Sequence, residues 1–319
     1  MECATKLKLD GAALGLLVRE TFGADPVETE ELSDGWANTA YRIRLQDGRQ
    51  VVLKLAPLPD VKQMRYEVKL MQTEVDMLKR LEGVLPVPRV YVYDHSRRLV
   101  ASDYFVMEHL DGTPYNKLKP SLSPEERDAV EQELGQYNRV LNAICGDRFG
   151  PYVSPAAAGA GWFEVFYGMM RDVLEDGKDM DVDMPAPDEE ILALVERGRQ
   201  ALEEVKEPRL VHWDLWDGNV FVREGRITGL IDFERALWGD PLLEAYFRSG
   251  TLSEAFRRGY GLEAPFTPAE EIRRLLYDLY LDLIMHVERP FRQFASADHG
   301  AWTRNRLAQT WQRIQEVLG

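Results

Sequence analysis

Two short segments carry most of the chemical information: Leu210-Val-His-Trp-Asp-Leu-Trp-Asp-Gly-Asn219, and after it Leu230-Ile-Asp-Phe-Glu234, in which an aspartate ends an apolar run. Asp214 and Asn219 lie five residues apart, which requires a tight loop, and Asp232 follows a predicted short hairpin. Phosphoryl transfer from a metal-bound nucleotide needs a carboxylate that orients the attacking hydroxyl, and oxygen ligands that hold Mg²⁺ against the phosphates. The two segments therefore predict a phosphotransferase active site.

The composition bounds the class of protein. With 319 residues the chain is long enough for about two domains, and its 45% hydrophobic and 29% charged residues are ordinary for a globular protein. The 39 basic and 54 acidic residues give a net charge of −15, which opposes nucleic-acid binding because that requires a concentrated positive surface. A negative field favours a cationic substrate, but it serves solubility equally well.

Neither membrane insertion nor secretion is indicated by the sequence. It has no apolar run of membrane-spanning length, and residues 1–6 lack the apolar core of a signal peptide. We therefore expect a cytoplasmic protein with no membrane partner. Cys3 and Cys145 are too few and too far apart for a disulfide framework or a cysteine zinc site. We expect both to be reduced thiols, with Cys145 as a small core residue.

The chain changes character at Asp111-Gly112. Before this point the apolar spacing predicts helices over 8–22 and 64–81, strands over 27–32, 40–45, 50–55, 89–93 and 99–107, and a hairpin turn at Asp47-Gly48. After it the pattern predicts helices over 123–144, 161–175, 187–205, 241–248, 252–259, 267–288 and 300–318, with short β segments at 209–211, 220–222 and 227–231. We therefore expect an N-terminal nucleotide-binding lobe over 1–110 and a C-terminal catalytic and substrate-binding helical lobe over 111–319.

One lysine stands out in the predicted strand over 50–55. Alternation places Val51, Leu53 and Leu55 on one face and Lys54 on the other. A lysine within an apolar strand is costly to bury without partners, and nucleotide phosphates would supply the opposite charge. The alternative is an edge-strand lysine whose ammonium reaches solvent.

A glutamate on the predicted helix over 64–81 would fix such a lysine. Glu67 and Glu74 both lie beside its apolar stripe, but they are roughly 10 Å apart along the helix axis, so only one can pair with Lys54.

These segments resemble the aminoglycoside phosphotransferase family, a branch of the protein-kinase-like fold that also contains kinases of choline, homoserine and other small alcohols. The resemblance covers the chain from about residue 30 to residue 250. The family's His-Gly-Asp-Leu-x-x-x-Asn loop, Ile-Asp-Trp/Phe-Glu turn and Gly-Asp-Pro triplet correspond to 212–219, 231–234 and 239–241. Trp213 stands where the family usually has glycine, and Trp216 where histidine or a small residue is common. We expect Trp213 to be a packing residue and His212 to brace the loop by a hydrogen bond rather than to act as a base.

The resemblance implies an α+β, protein-kinase-like two-lobed fold, with a small antiparallel β-sheet N-lobe that contains one main helix and a larger, mostly helical C-lobe. It further implies that Asp214 is the catalytic base and that Asn219 and Asp232 are the magnesium ligands. Matching Thr73-Glu-Val-Asp-Met-Leu78 to the family pattern selects Glu74 as the partner of Lys54, with Glu67 in reserve. In the alternative interpretation, Asp214 and Asn219 only hydrogen-bond a turn.

Two further segments resemble nucleotide-binding parts of the family. The stretch 33–41 matches the loop that covers the nucleotide, where Gly35 lets the backbone approach phosphate. The side chains that could donate to phosphate there are Ser33, Asn38 and Thr39. The alternative is that this stretch only links two strands and does not contact a nucleotide. The segment 105–112 resembles the interlobe hinge, where adenine would bind backbone groups of Glu108 and Leu110.

Other enzyme classes lack support. The chain has no Gly-x4-Gly-Lys-Ser/Thr loop, no glycine pattern of a dinucleotide site and no His-x3-His pair. Three features could form the substrate side: the segment 172–190 with nine acidic residues, a helical aromatic cluster, and an acidic pair on one face of the helix over 267–288. The cluster is Trp162, Phe163, Phe166 and Tyr167, and the pair is Asp278 and Asp282. A solvated loop and a core face are the alternatives for the first two.

The sequence therefore predicts a kinase that uses ATP or GTP with Mg²⁺ to phosphorylate a hydroxyl of a small molecule. The leading acceptor is an aminoglycoside-like or other amine-bearing antibiotic, and a metabolic alcohol such as choline or homoserine is the alternative. A nucleotide-binding regulatory module without turnover is the third possibility. The retained Lys54, Asp214, Asn219 and Asp232 count against it.

Overall fold

The computed structural model describes residues 5–33, 35, 37–294 and 296–319. Cys3, one of the two predicted thiols, lies outside them. Within this part of the chain the strands are β1 (Pro26–Leu32), β2 (Thr39–Leu45), β3 (Gln50–Leu55), β4 (Val90–Asp94), β5 (Tyr104–Glu108), β6 (Thr113–Pro114), β7 (Gly150–Pro151), β8 (Arg209–Val211), β9 (Val220–Arg223), β10 (Arg226–Leu230) and β11 (Leu237–Gly239). The α-helices are α1 (Gly11–Phe22), α2 (Leu70–Leu81), α3 (Tyr115–Leu118), α4 (Pro124–Asn142), α5 (Trp162–Asp179), α6 (Asp188–Arg197), α7 (Arg199–Leu202), α8 (Glu254–Tyr260), α9 (Pro268–Arg292) and α10 (Ala297–Leu318).

The first lobe is built on an antiparallel sheet of five described strands in the order β1-β2-β3-β5-β4. The hairpin predicted at Asp47-Gly48 joins β2 to β3, and Gly48 takes the left-handed φ of +86° that this turn requires. The alternation predicted for β3 is present: Val51, Leu53 and Leu55 are fully buried in a cluster with α1. Val52 faces the other way, into the cluster that contains α2. Lys54 is on that second face.

The helix predicted over 64–81 is shorter than expected, because α2 begins only at Leu70. Residues 64–69 form turns instead. The Glu67 amide donates to Met64 O at 3.0 Å, and the Glu67 carboxylate accepts from the Met64 amide at 2.9 Å. Lys69 then takes a left-handed φ of 55°, which a continuing helix does not allow.

The predicted domain junction at Asp111-Gly112 lies beside the hairpin of β9 and β10. Gly112 has a φ of +149°, and a Cβ there would lie 2.8 Å from Thr228 Oγ1 and 3.1 Å from Val222 O. Glycine is therefore required for the close approach of this segment to the hairpin of β9 and β10. Directly after it, β6 pairs with β9. Directly after the predicted junction, the chain thus runs beside the hairpin that precedes Asp232.

The second lobe is mostly helical, as predicted, with two changes in its elements. The helix expected over 241–248 is a pair of 3-10 turns, Pro241–Leu243 and Ala245–Phe247, because Glu244 between them is extended. The helix expected over 187–205 is divided into α6 and α7 at Gly198. The expectation that Cys145 is a core residue is wrong, since this thiol is exposed. None of the described helices is long and apolar enough to cross a membrane.

Candidate active site

The loop after β8 brings Asp214 and Asn219 together. Asn219 Nδ2 donates to the Asp214 backbone oxygen at 2.8 Å, and the same oxygen accepts from the Trp216 amide at 3.0 Å. The Asn219 amide donates to Trp216 O at 2.9 Å and opens β9. The predicted tight loop is therefore closed by hydrogen bonds between its own polar groups. The Asn219 side chain uses its NH₂ group in these bonds, so its side-chain oxygen is available to a ligand.

Lys54 connects the sheet, α2 and the turn after β10. Its Nζ lies 2.6 Å from Glu74 Oε2, 2.7 Å from Asp232 Oδ1 and 3.7 Å from Glu234 Oε2. The alternative of an edge-strand lysine is wrong, because β3 is an inner strand and only 12% of the Lys54 side chain is exposed. Glu67 does not take part, since it binds Arg292.

The electrostatics of this cluster favour a charged lysine. Burial alone would lower the pKa of Lys54, but attraction to Asp232, Glu74 and Glu234 outweighs it and holds that pKa well above its usual value. Burial raises the pKa of Glu74 to about 8 in spite of the opposing pull of Lys54. Burial would also raise the pKa of Asp232, yet Lys54 holds it below its usual value.

Asp214 is half-buried, and no described residue donates a hydrogen bond to its carboxylate. Burial raises the pKa of this carboxyl, while the charges of Arg235 and Arg248 work against that shift. A carboxylate that has no partner in the described chain is available to accept a proton or hydrogen bond from a bound hydroxyl.

Trp213 packs, as predicted, and its backbone explains why a glycine is common at the corresponding position of the resembled family. Its φ is +67°, a left-handed conformation that only glycine adopts without cost. The amide donates to Glu244 Oε2 at 3.1 Å, and the carbonyl accepts from Arg248 Nη2 at 2.7 Å. The indole is buried and stacks on Tyr280 at 5.5 Å between ring centroids. Ring packing and two backbone contacts hold the strained residue beside Asp214. Trp216, by contrast, is 43% exposed.

His212 braces the loop, as predicted. Its Nε2 lies 3.0 Å from Ile231 O, and its ring packs on Phe233 at 4.2 Å between centroids. These contacts link His212 to Ile231 and Phe233, the residues on either side of Asp232. Asp232 itself has a left-handed φ of 69°. His212 therefore sets the separation of the two aspartates and is not placed as a base.

Sequence reasoning missed Glu244. This fully buried carboxylate accepts from the amides of His212 at 2.9 Å and Trp213 at 3.1 Å, and from Asn142 Nδ2 at 3.0 Å. A signal was present in the sequence, because Glu244 is a single acid within the apolar run 242–247, and a buried charge requires partners.

Glu234 was also missed, although it belongs to the quoted Ile-Asp-Phe-Glu turn. It is the third carboxylate near Lys54, and it accepts from Asn38 Nδ2 at 2.6 Å. Asp240 of the Gly-Asp-Pro triplet has a structural position instead. It binds Arg273 Nε and the Tyr277 hydroxyl, each at 2.8 Å, and so anchors α9.

The predicted nucleotide-contacting residues lie at different distances from this cluster. Asn38 contacts the Lys54 cluster, because its side-chain amide donates a hydrogen bond to Glu234. Thr39 is buried at the start of β2, opposite Leu55. Ser33 is exposed just beyond the end of β1, and the neighbouring Asp34 and Trp36 of the quoted loop lie outside the described residues.

The predicted hinge residues Glu108 and Leu110 lie at the end of β5 and just beyond it. The Glu108 amide donates to Arg89 O at 2.8 Å, so this N–H is already used within the protein. The Leu110 side chain packs against Gly229 of β10.

The donor set fits a magnesium ion. Carboxylate oxygens of Glu74, Asp232 and Glu234 lie within 4.8 Å of one another, and the Asn219 side-chain oxygen is on the adjoining loop. Carboxylate and amide oxygens are the protein ligands that Mg²⁺ prefers. Lys54 lies among the same carboxylates, so a metal and this ammonium would share Asp232.

A cavity of about 380 Å³ adjoins the cluster between α2, α5 and the residues that follow Asp232. Asp172 and Asp176 of the acidic segment line it, although Asp176 is paired with Arg65. The core alternative for the aromatic cluster is confirmed, since Trp162, Phe163 and Phe166 are buried. The acidic pair on α9 is used within the protein: Asp282 binds Arg306 Nε at 2.7 Å, and Asp278 accepts from the Ser249 amide at 3.3 Å.

A sheet that presents a lysine to a helix glutamate, with a helical lobe that supplies the Asp-x4-Asn loop and a second aspartate, defines a phosphotransferase of the protein-kinase-like fold. The chain belongs to the phosphotransferase enzyme family, whose model matches residues 28–269. It is accordingly an enzyme of the small-molecule kinase class. No curated protein sequence matches the chain.

Solved structures show the same fold. A putative aminoglycoside phosphotransferase from Ralstonia eutropha JMP134 has a TM-score of 0.66 at 16% identity, covering 97% of this chain and 99% of its own. A complex of aminoglycoside phosphotransferase APH(4)-Ia with AMP-PNP and hygromycin B has a TM-score of 0.67 at 20% identity, with 94% and 98% covered. A putative fructosamine-3-kinase from Thermobifida fusca YX-ER1 has a TM-score of 0.65 at 22% identity, with 95% and 98% covered.

Proposed function

We propose that this enzyme transfers the γ-phosphate of ATP or GTP, with Mg²⁺, to a hydroxyl of a small molecule. The observation that carries the proposal is the position of Lys54, which binds Glu74 at 2.6 Å and Asp232 at 2.7 Å beside a loop that holds Asp214 and Asn219 together. This arrangement matches the needs of phosphoryl transfer, which depends on positioning and on charge stabilisation more than on covalent chemistry.

Each residue has a separate task in this proposal. Asp214, whose carboxylate has no hydrogen-bond donor among the described residues, orients the acceptor hydroxyl and takes its proton. Lys54, fixed by Glu74, binds the phosphates. Asn219 and Asp232 hold the metal, which when bound neutralises charge on the phosphate oxygens.

The nucleotide would lie between the lobes, with its phosphates toward Lys54. Asn38 is within reach of this position through Glu234, and Thr39 and Ser33 would add donors from the covering loop. The adenine would bind the Glu108 carbonyl and the Leu110 amide, because the Glu108 amide already donates to Arg89. In this assignment residues 1–110 form the nucleotide-binding lobe and residues 111–319 the catalytic and acceptor-binding lobe. ATP is favoured as donor because the structurally similar APH(4)-Ia complex contains AMP-PNP.

The acceptor would enter through the cavity next to Trp213 and Arg235. An aminoglycoside-like or other amine-bearing antibiotic is our leading acceptor, because Glu164, Asp172 and Asp176 line this cavity and would attract ammonium groups. A choline-like or homoserine-like alcohol is the alternative. We further propose that the enzyme acts in the cytoplasm and that its role is antibiotic resistance.

The experiment is a transfer screen with ATP and with GTP labelled at the γ-phosphate. The panel contains aminoglycosides, macrolides, choline and homoserine, each with Mg²⁺ and with EDTA. We expect Mg²⁺-dependent label transfer to one acceptor class. Nucleotide binding without transfer across the whole panel would instead support a regulatory module.

A further inference from the structure

The loop after β8 contains a second aspartate, Asp217, that the proposed chemistry does not use. Asp217 begins the single 3-10 turn Asp217–Asn219, which ends at the proposed metal ligand. One oxygen of its carboxylate accepts from Lys119 Nζ at 2.9 Å, and the other accepts from the Tyr246 hydroxyl. Both donors lie outside the loop, so this carboxylate attaches the start of the turn to other parts of the fold.

Each of the two donors is itself held in place. Lys119 directly follows α3, and its Nζ also lies 2.9 Å from Glu131 Oε1 on α4. Burial would lower the pKa of Lys119, but the hydrogen bonds to Glu131 and Asp217 raise that pKa above its usual value, so the ammonium stays charged. Tyr246 is buried, and its ring stacks on Phe256 of α8 with centroids 4.7 Å apart. The Asp217 carboxylate is therefore bound by two groups that have little freedom of their own.

Hydrogen bonds within the loop set its shape, whereas contacts to other segments set its orientation. The bonds that Asn219 donates, to Trp216 O and Asp214 O, are internal. An external contact lies at the end of the turn, where Asn219 O accepts from the Ile231 amide at 3.1 Å. A turn held at this end alone would be free to pivot and to carry the Asn219 side chain with it. The Asp217 carboxylate supplies a second attachment, at the start of the turn.

We propose that Lys119 and Tyr246 are positioning residues, which hold the turn through Asp217 so that the Asn219 side-chain oxygen faces the metal. This inference rests on the proposed function. Mg²⁺ demands near-ideal octahedral geometry, so a displaced ligand binds it less well. The two contacts therefore strengthen the effect of Mg²⁺ on nucleotide binding, although neither residue touches the metal or the nucleotide. The alternative is that they contribute only to stability.

The test measures the gain in nucleotide affinity that Mg²⁺ provides. Calorimetric titrations of the full-length enzyme with AMP-PNP, in saturating Mg²⁺ and in EDTA, give this gain as the ratio of the two affinities. Lys119→Met removes the ammonium, Tyr246→Phe removes only the hydroxyl, and Lys119→Arg keeps the charge. Tyr137→Phe is the control matched to Tyr246→Phe, because its hydroxyl donates to Glu133 Oε1 at 3.2 Å on α4 and not to the loop.

We expect Lys119→Met and Tyr246→Phe each to reduce the Mg²⁺ gain about threefold to tenfold, whereas affinity in EDTA stays within about twofold of wild type. Lys119→Arg should retain most of the gain, and Tyr137→Phe all of it. A contact that only stabilises the fold would lower the melting temperature and leave the gain unchanged. A wild-type gain in both Lys119→Met and Tyr246→Phe, or an equal loss in Tyr137→Phe, would overturn the inference.

Hydrogen exchange of the peptide 210–222 follows the loop independently of nucleotide and metal. Because the Asn219 amide donates within the loop, exchange there should be faster in Lys119→Met than in wild type. Exchange equal to wild type would contradict the inference even in an active kinase. If the wild type itself shows no gain from Mg²⁺, the proposed function fails together with this inference. A wild-type gain that both variants preserve counts against the inference alone.

Discussion

Lys54 and Asp232 are 178 residues apart in the chain, yet Lys54 Nζ lies 2.7 Å from Asp232 Oδ1. The lysine that we propose to bind phosphate and the proposed metal ligand therefore balance each other's charge. Because Glu74 holds the same ammonium at 2.6 Å, Lys54 would keep one partner if Asp232 bound a metal.

Asp232→Ala should separate metal binding from nucleotide binding. Removing this carboxylate should weaken binding of the Mg²⁺-nucleotide complex at least tenfold, about 1.4 kcal/mol, since a metal ligand is lost. Binding of nucleotide in EDTA should fall little, because Lys54 keeps Glu74 as its partner. Titration calorimetry with and without Mg²⁺ measures both, and an unchanged Mg²⁺ dependence would contradict the assignment.

Lys54→Met should destabilise the protein in a pH-dependent way. Loss of the ammonium leaves three carboxylates close together, and breaking a buried ion pair costs about 3 kcal/mol. Glu74 already has a pKa raised to about 8 with Lys54 present, and without it the pKa rises further. Below about pH 8 this carboxyl is protonated in both folded proteins, so its part of the loss is constant; above pH 8 only the variant keeps the proton, and the loss should grow as the pH rises. Urea unfolding at several pH values tests this, and an equal loss throughout would argue against charge as the cause.

Asp214→Ala should remove transfer and leave nucleotide binding within about threefold of wild type. The carboxylate accepts no hydrogen bond from any described residue, so the main loss should be its action on the acceptor hydroxyl, about 10²-fold to 10⁴-fold in rate for a general base. Asp147→Ala is the control, because 88% of that side chain is exposed. Equal losses of binding and transfer would show that Asp214 supports the loop instead.

Glu244→Gln should lower both stability and turnover. A glutamine oxygen can accept from only one side, so one of the two loop amides at 2.9 and 3.1 Å would face an NH₂ group, a loss of about 1–3 kcal/mol. Glu254→Gln, at a side chain that is 84% exposed, is the control. Chemical denaturation and kcat are the measurements, and a variant as stable as wild type would mean that the loop is held by other contacts.

At position 213 the usual order of stability, in which an alanine variant is more stable than a glycine variant, should be reversed. Both variants lose the ring packing, but Trp213→Ala keeps a side chain at a φ of +67°, whereas Trp213→Gly relieves that strain. We expect the glycine variant to be the more stable by about 1 kcal/mol, although glycine is normally the less stable of the two. A more stable alanine variant in thermal unfolding would show that the backbone relaxes.

The parts of the site that the sequence predicted depend on local pattern. Alternation in 50–55 placed Lys54 on the face opposite the apolar residues, and the structure shows that this face is toward α2. The family pattern selected Glu74, which is the residue that binds Lys54. Spacing alone also predicted the tight loop from Asp214 to Asn219.

The parts that the sequence did not predict depend on contacts between distant segments. α2 begins late because Glu67 turns back to Met64 and binds Arg292 from α9. Glu244 is extended and not helical, with its carboxylate bound to amides about thirty residues earlier in the chain. The cavity is likewise formed by segments from both lobes, and no local pattern encodes its shape.

The left-handed Trp213 also constrains which sequences can replace one another in this loop. Tyr280 and Tyr66 supply the ring contacts that offset the backbone cost of the tryptophan. In a chain with small side chains at those two positions, the same tryptophan would still have the strained left-handed backbone but would lose the ring contacts that offset the strain. The effect of this substitution therefore depends on the sequence around it, and grafting the His-Trp-Asp loop onto a relative should succeed only when both tyrosines are transferred with it.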